Sequence, residues 1–236
     1  MTAPTHLPLL LLPGMDGTDA LLGPIARALA PDVPTRAVTY PARGGEDYER
    51  TLPLVRAAVA AVGPCAVLGW SFSGPLAIRI AGERPDAVRA VVLAASFATS
   101  PLPWLRWTGP LLCTPPFALL RTLRRLPLWL LRPPSDPLRA AKARIWREVP
   151  ASTLVARARA IRGVDVQTEL RALRQPVLYL QSARDRVVGP HNLARIRALR
   201  PDTEVATLPG DHFALFPEAA LAAAAIRRFL QAHAMP

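Results

Sequence analysis

The chain has 236 residues, 51% hydrophobic and 19% charged, which suffices for one buried core with or without a large insertion and excludes a disordered segment. Its 29 Lys/Arg outnumber 17 Asp/Glu, giving a net charge of +12. Two cysteines, Cys65 and Cys113, exclude a disulfide framework. No Cys/His spacing suits a metal, so neither metal nor cofactor is expected.

The elements follow in chain order. The amino end lacks a basic n-region, and the apolar run 7–12 is too short for the core of a secretory leader, so a cytoplasmic location is expected. That run reads as a buried strand ended by Pro13-Gly14. Helix 20–30, strand 35–40, helix 48–62, strand 65–69, helix 74–83 and strand 88–95 follow, with Cys65 read as a small core residue. After an interruption come strand 177–181, helix 191–199, strand 203–208 and helix 217–232. Apolar strands alternating with helices predict an α/β fold, with a parallel sheet covered on both faces and right-handed crossovers. In such a sheet the working groups collect on loops at the carboxyl ends of the strands.

Residues 97–163 break this alternation. They hold twelve basic and two acidic residues, ten prolines and four of the five tryptophans, so nearly all of the net charge lies there. The longest uncharged stretch, 107–120, has 14 residues and three prolines, short of the roughly 20 apolar residues that span a bilayer. The segment reads as a helical cap inserted between core segments 1–96 and 164–236, lying over the strand ends. No internal repeat is evident.

Strand 65–69 runs straight into Trp70-Ser71-Phe72-Ser73-Gly74 and then a helix. Ser71 therefore sits on a tight strand-to-helix turn that pushes its hydroxyl out of the sheet edge, while Gly69, Ser73 and Gly74 leave room for the turn. The strict pattern is G-x-S-x-G, and Ser73 replaces its last glycine. An ordinary βα turn with a capping serine is the plainer alternative.

A serine hydroxyl needs a base. Of four histidines, His6 precedes the first strand, His233 lies near the carboxyl end and His191 opens a helix. His212 follows the last strand in a Gly-containing loop, on the same sheet edge as Ser71. The imidazole in turn needs a carboxylate to orient it. Asp185 follows strand 177–181, although flanking Arg184 and Arg186 also suit a solvated surface charge. The order Ser71, Asp185, His212 is that of an acyl-transfer triad. Oxyanion donors are expected from the Phe72 N–H, after the nucleophile, and from the Met15 N–H in Pro13-Gly14-Met15-Asp16-Gly17-Thr18. That loop lacks Gly-Lys-Ser/Thr, and the sole lysine, Lys142, is far along the chain, which excludes a Walker-type phosphate loop.

Together, Gly69-Trp70-Ser71-Phe72-Ser73-Gly74, Asp185 before Val187-Val188, and Gly210-Asp211-His212 ahead of Pro217 resemble the α/β-hydrolase superfamily. The likeness is nearest to its small capped esterases, such as those acting on pimeloyl-carrier-protein methyl esters, and covers all but the cap. It implies about six mostly parallel strands, the usual first two being absent, and a serine esterase working through an acyl-enzyme on a carboxylic ester or thioester. The loop 13–18 is similar to the Pro-Gly-x-Asp-Gly loop of phytyl-ester-synthase-like acyltransferases, which leaves acyl transfer open. Ser71 stands where dehalogenase relatives carry Asp.

Gly14, Trp70, Trp104, Trp107 and Phe213 are the expected lining of the substrate pocket. A basic rim on the cap would suit an anionic partner such as an acyl carrier protein, coenzyme A or an acidic lipid surface. Equally, the arginines could simply solvate amphipathic helices along their stems. A non-catalytic small-molecule receptor on the same fold is a further alternative. Nucleic-acid binding is not expected, because no recognised motif accompanies the charge.

Overall fold

The computed structural model describes residues 7–43, 47–101 and 136–233. Six strands, β1 (Leu9–Leu12), β2 (Thr35–Ala37), β3 (Cys65–Trp70), β4 (Val88–Ala94), β5 (Val177–Ser182) and β6 (Glu204–Leu208), form one sheet in the order β2-β1-β3-β4-β5-β6. Every neighbouring pair is parallel. The described helices are α1 (Gly23–Leu29), α2 (Tyr48–Val62), α3 (Gly74–Glu83), α4 (Pro137–Glu148), α5 (Ala151–Arg162), α6 (Gln167–Ala172), α7 (Pro190–Leu199) and α8 (Ala219–His233).

Alternate residues of β1, β3, β4 and β5 feed two cores. Leu9, Leu11, Ala66, Leu68, Trp70, Ala90 and Val92 pack on one face with Ile25 of α1 and Ile226 and Phe229 of α8. Leu10, Leu12, Cys65, Val67, Val91 and Leu93 pack on the other with Val55 of α2, Leu76 of α3 and Ile196 of α7. Both faces being covered, β1 and β3 are buried along their whole length, and their sequences are accordingly continuous apolar runs rather than alternating ones. Cys65 is a core residue as expected, and burial pushes its thiol up to about 11.

The observed sheet has the six parallel strands expected, and three departures from the expected elements have a local physical cause. Strand β2 stops at Ala37 because it is an outer strand, with one neighbour, and its residues are largely exposed. Strand β4 ends at Ala94 because Ala95 turns into the left-handed region, with φ of 44°. Helix α6 has no counterpart in the sequence reading: its six residues bury only Leu170, too few to produce a helical periodicity.

Parallel strands send every following loop to the same edge of the sheet. The direction in which strands are added reverses between β1 and β3, and a crevice opens at such a reversal. The loop after β1 and the turn after β3 flank it. Chain segments leaving β4 and returning to α6 meet in an antiparallel bridge between Thr99 and Asp165, seconded by Val166 N–H donating to the Ala98 carbonyl at 2.9 Å. Of the intervening residues, helices α4 and α5 are described. No described helix is long and apolar enough to cross a membrane.

Candidate active site

The turn after β3 explains how Ser71 is presented. Ser71 itself has φ of 51°, a left-handed conformation that L-residues rarely adopt and that costs on the order of 1 kcal/mol or more. Two glycines make the turn possible. A Cβ on Gly69 would come within 2.5 Å of the Ser73 carbonyl oxygen, and one on Gly74 within 1.8 Å of the Ser96 Oγ. Ser96 in turn donates to the Ser71 carbonyl at 2.6 Å, holding the strained residue from behind.

The tight approaches thus fall on positions 69 and 74, which is why position 73 tolerates serine. Ser73 is fully buried. Its Oγ donates to the Pro13 carbonyl, so Tyr40 must be the donor in the 2.7 Å contact between its hydroxyl and the same Oγ. Burial raises the Tyr40 phenol well above its ordinary range, against the Ser73 bond and Arg157, which lower it. The residue that departs from the glycine pattern therefore ties the Ser71 turn to the loop after β1.

The structure brings Ser71, His212 and Asp185 together in one hydrogen-bonded chain. His212 Nε2 lies 3.0 Å from Ser71 Oγ, and Nδ1 lies 2.8 Å from Asp185 Oδ2. The Asp185 side chain is only 4% exposed and that of His212 11%, so Asp185 is not the solvated charge that its arginine neighbours suggested. Its second oxygen, Oδ1, accepts the N–H groups of Val187 and Val188, both at 2.8 Å. Two backbone bonds, Ala183 N–H to the Leu208 carbonyl at 2.9 Å and Arg184 N–H to the Gly210 carbonyl at 2.8 Å, zip the loop carrying Asp185 to the loop carrying His212. The other described histidines are elsewhere. His191 Nε2 sits 2.8 Å from the Pro101 carbonyl oxygen, and His233 pairs with Glu204. His6 lies outside the described residues.

The loop after β1 has a partner for each of five successive carbonyls. Pro13 accepts from Ser73, Gly14 from Gly17 N–H at 3.0 Å, and Gly17 from Tyr40 N–H at 2.8 Å. Met15 and Asp16 accept from the Arg157 guanidinium at 3.0 and 2.8 Å. In a trans peptide the N–H points opposite to the carbonyl, so fixing the Gly14 carbonyl inside the turn directs the Met15 N–H outward. The Asp16 carboxylate accepts from Thr18 N–H at 2.8 Å. Burial raises its pKa, opposed by the two Thr18 bonds and by Arg157.

Around the serine, the Phe72 ring is turned away from solvent and stacks on Tyr48, centroids 4.6 Å apart. Gly14 is buried in the loop. Trp70 is 2% exposed and meets the Phe213 ring edge-on at 6.2 Å. Phe213 is half-buried and also packs edge-on to His212 at 5.6 Å. Trp104 and Trp107 lie outside the described residues. Sequence reasoning missed Lys142: its ammonium sits 3.4 Å from the Phe213 ring centroid, a cation–π contact that brings the sole lysine beside the site. Distance along the chain concealed it. Among the described residues no cluster of His, Cys, Asp or Glu could hold a metal ion.

Residues 9–225 match the alpha/beta hydrolase family. The chain is 27% identical, over 241 aligned residues, to a pimeloyl-[acyl-carrier protein] methyl ester esterase of Stenotrophomonas maltophilia, covering 95% of this chain and 93% of the relative. Among solved structures it is similar to the enol-lactonase of Burkholderia xenovorans, with a TM-score of 0.76 at 16% identity over 96% of this chain and 92% of that one. It is similarly close to an alpha/beta hydrolase enzyme from a Medee basin deep-sea metagenome library, with a TM-score of 0.76 at 13% identity, covering 97% and 90%. At such identities these two likenesses are of fold.

Proposed function

The chain belongs to the alpha/beta hydrolase family, and we propose that it is a serine esterase that cleaves a carboxylic ester or thioester through an acyl-enzyme intermediate. The hydrogen-bonded chain Asp185–His212–Ser71 carries this reading. In it, His212 takes the Ser71 proton as Oγ attacks the carbonyl carbon, and Asp185 holds the imidazole in the Nδ1–H tautomer and stabilises its charged form. The N–H groups of Phe72 and Met15 receive the oxyanion. His212 then protonates the leaving alcohol or thiol, and water, activated by the same imidazole, releases the acid. Gly14, Trp70 and Phe213 line the substrate pocket in this reading, and α4 and α5 belong to its cap, whose residues 102–135 lie outside the described residues.

Incubating the full chain with a fluorophosphonate probe is expected to give one adduct per molecule, mapped to Ser71 by peptide mass spectrometry. An adduct on another residue, or none in protein that hydrolyses short p-nitrophenyl esters, removes Ser71 from the mechanism.

The substrate class we propose is an acyl ester presented by an acidic carrier protein. Its support is the relative acting on an acyl-carrier-protein ester and the excess of ten positive charges in residues 97–163. Part of that charge is already engaged: Arg144 pairs with Glu148 at 2.8 Å and with Asp19 at 3.6 Å, and Arg157 is buried. A groove of about 380 Å³ between α1 and α4 is lined by Arg27, Arg147 and Phe216 together with the paired Arg144. With a carrier-linked ester, KM is expected to rise severalfold between 50 and 300 mM salt, whereas KM for a neutral p-nitrophenyl ester stays level. Equal salt responses of the two substrates would remove the carrier from the proposal.

A further inference from the structure

The side chain of Arg157 behaves unlike every expectation for residues 97–163. As one of twelve cations there it would belong to a basic rim or a solvated helix face; the structure buries it completely, with 0% of its surface exposed. Its guanidinium reaches out of α5 into the loop after β1. Nη1 donates to the Met15 and Asp16 carbonyls at 3.0 and 2.8 Å, and Nη2 donates to the Pro41 carbonyl, beyond β2, at 2.9 Å. The planar fork also lies 5.7 Å from the Tyr40 ring centroid, and Tyr40 is hydrogen-bonded to Ser73 in the Ser71 turn. One turn earlier on the same face of α5, the buried Thr153 hydroxyl donates to the Ala42 carbonyl at 2.5 Å.

Gly17 records how closely the fork is seated. A Cβ there would come within 2.4 Å of Nη1, and its φ is +74°, so the loop requires glycine for both space and conformation. A buried guanidinium is costly to desolvate, and removing its charge or its donors leaves carbonyls unpaired. A planar guanidinium holds its several donors in fixed directions toward carbonyls of two separate segments, a geometry that an ammonium on a flexible stem does not reproduce.

We propose that Arg157 is a positioning residue for the oxyanion hole, so that α5 is part of the catalytic scaffold and not merely a cover. By gripping the carbonyls on both peptides after Met15, it sets the backbone at Met15 and with it the direction of the Met15 N–H. This rests on the reading of that N–H as an oxyanion donor. Such a donor works by being in place before charge develops, and a displacement near 1 Å costs about 100-fold in rate.

Steady-state kinetics of Arg157→Lys and Arg157→Ala on a short p-nitrophenyl ester, with urea unfolding of each, test it. Expected in both variants is a fall in kcat of about 10- to 100-fold with KM changed less than about threefold. Fluorophosphonate labelling of Ser71 should slow in proportion. Millimolar methylguanidine should restore part of kcat to Arg157→Ala but none to Arg157→Lys, whose ammonium occupies the site. Wild-type kcat in a folded Arg157→Ala variant overturns the proposal. So does a loss of activity that follows only the folded fraction, without rescue or a slower labelling rate. If wild-type protein fails to label at Ser71, the esterase reading itself fails; if it labels normally and the variants remain fully active, only the role of Arg157 fails.

Discussion

Ser71→Ala is expected to lower kcat for a short p-nitrophenyl ester by about 10⁴- to 10⁶-fold, with folding intact, because removal of a triad nucleophile leaves only binding and oxyanion stabilisation to assist water. The substitution is clean in this setting. The bond from Ser96 Oγ to the Ser71 carbonyl remains, and the side-chain hydrogen bond that disappears is the one to His212 Nε2. The left-handed φ at this position is as unfavourable for alanine as for serine, so the strain in the turn is unchanged. Urea midpoints within the error of the wild type, with labelling abolished, are the accompanying result. A folded variant that retains more than about a hundredth of wild-type kcat would show that another group forms the acyl-enzyme.

Asp185→Asn is expected to cost about 10⁴-fold in kcat, and the surroundings of the carboxylate explain why so small a change is so damaging. Oδ1 accepts two N–H groups, from Val187 and Val188. An asparagine must therefore place its carbonyl oxygen there and its NH₂ toward His212 Nδ1. The amide then donates where the carboxylate accepted, which forces the neutral imidazole into the Nε2–H tautomer. In that form Nε2 carries a proton toward Ser71 Oγ and cannot accept one. Asp185→Ala would reduce activity too but would also strand the two N–H groups, so asparagine is the more informative variant. Measured kcat within tenfold of wild type, in protein with an unchanged urea midpoint, would contradict the assigned role of the carboxylate.

The site divides into parts that a one-dimensional pattern can carry and parts that it cannot. Ser71, Asp185 and His212 stand in the loops that follow β3, β5 and β6, and parallel pairing alone sends those three loops to one edge. Their order along the chain, and the elimination of three other histidines, were therefore informative before any distance was known. Residue 73 was legible only as a tolerated departure from glycine. That its hydroxyl binds Pro13 and Tyr40 depends on the approach of β1 and of the loop after β2, whose partners lie 60 and 33 residues away.

What the sequence alone determined was the layering and the edge: apolar runs long enough to be buried on both faces require helices on each side, and the turns after them inherit a common rim. Only the folded chain decided which charged side chains lie inside. Arg157 carries the same guanidinium as Arg159, two residues on, yet one is fully buried against the loop after β1 and the other faces outward. Likewise Lys142, separated from Phe213 by most of the second half of the chain, ends on its ring. Burial of a cation depends on whether distant backbone carbonyls converge on it. That is a property of where segments meet in space and leaves no mark in local composition.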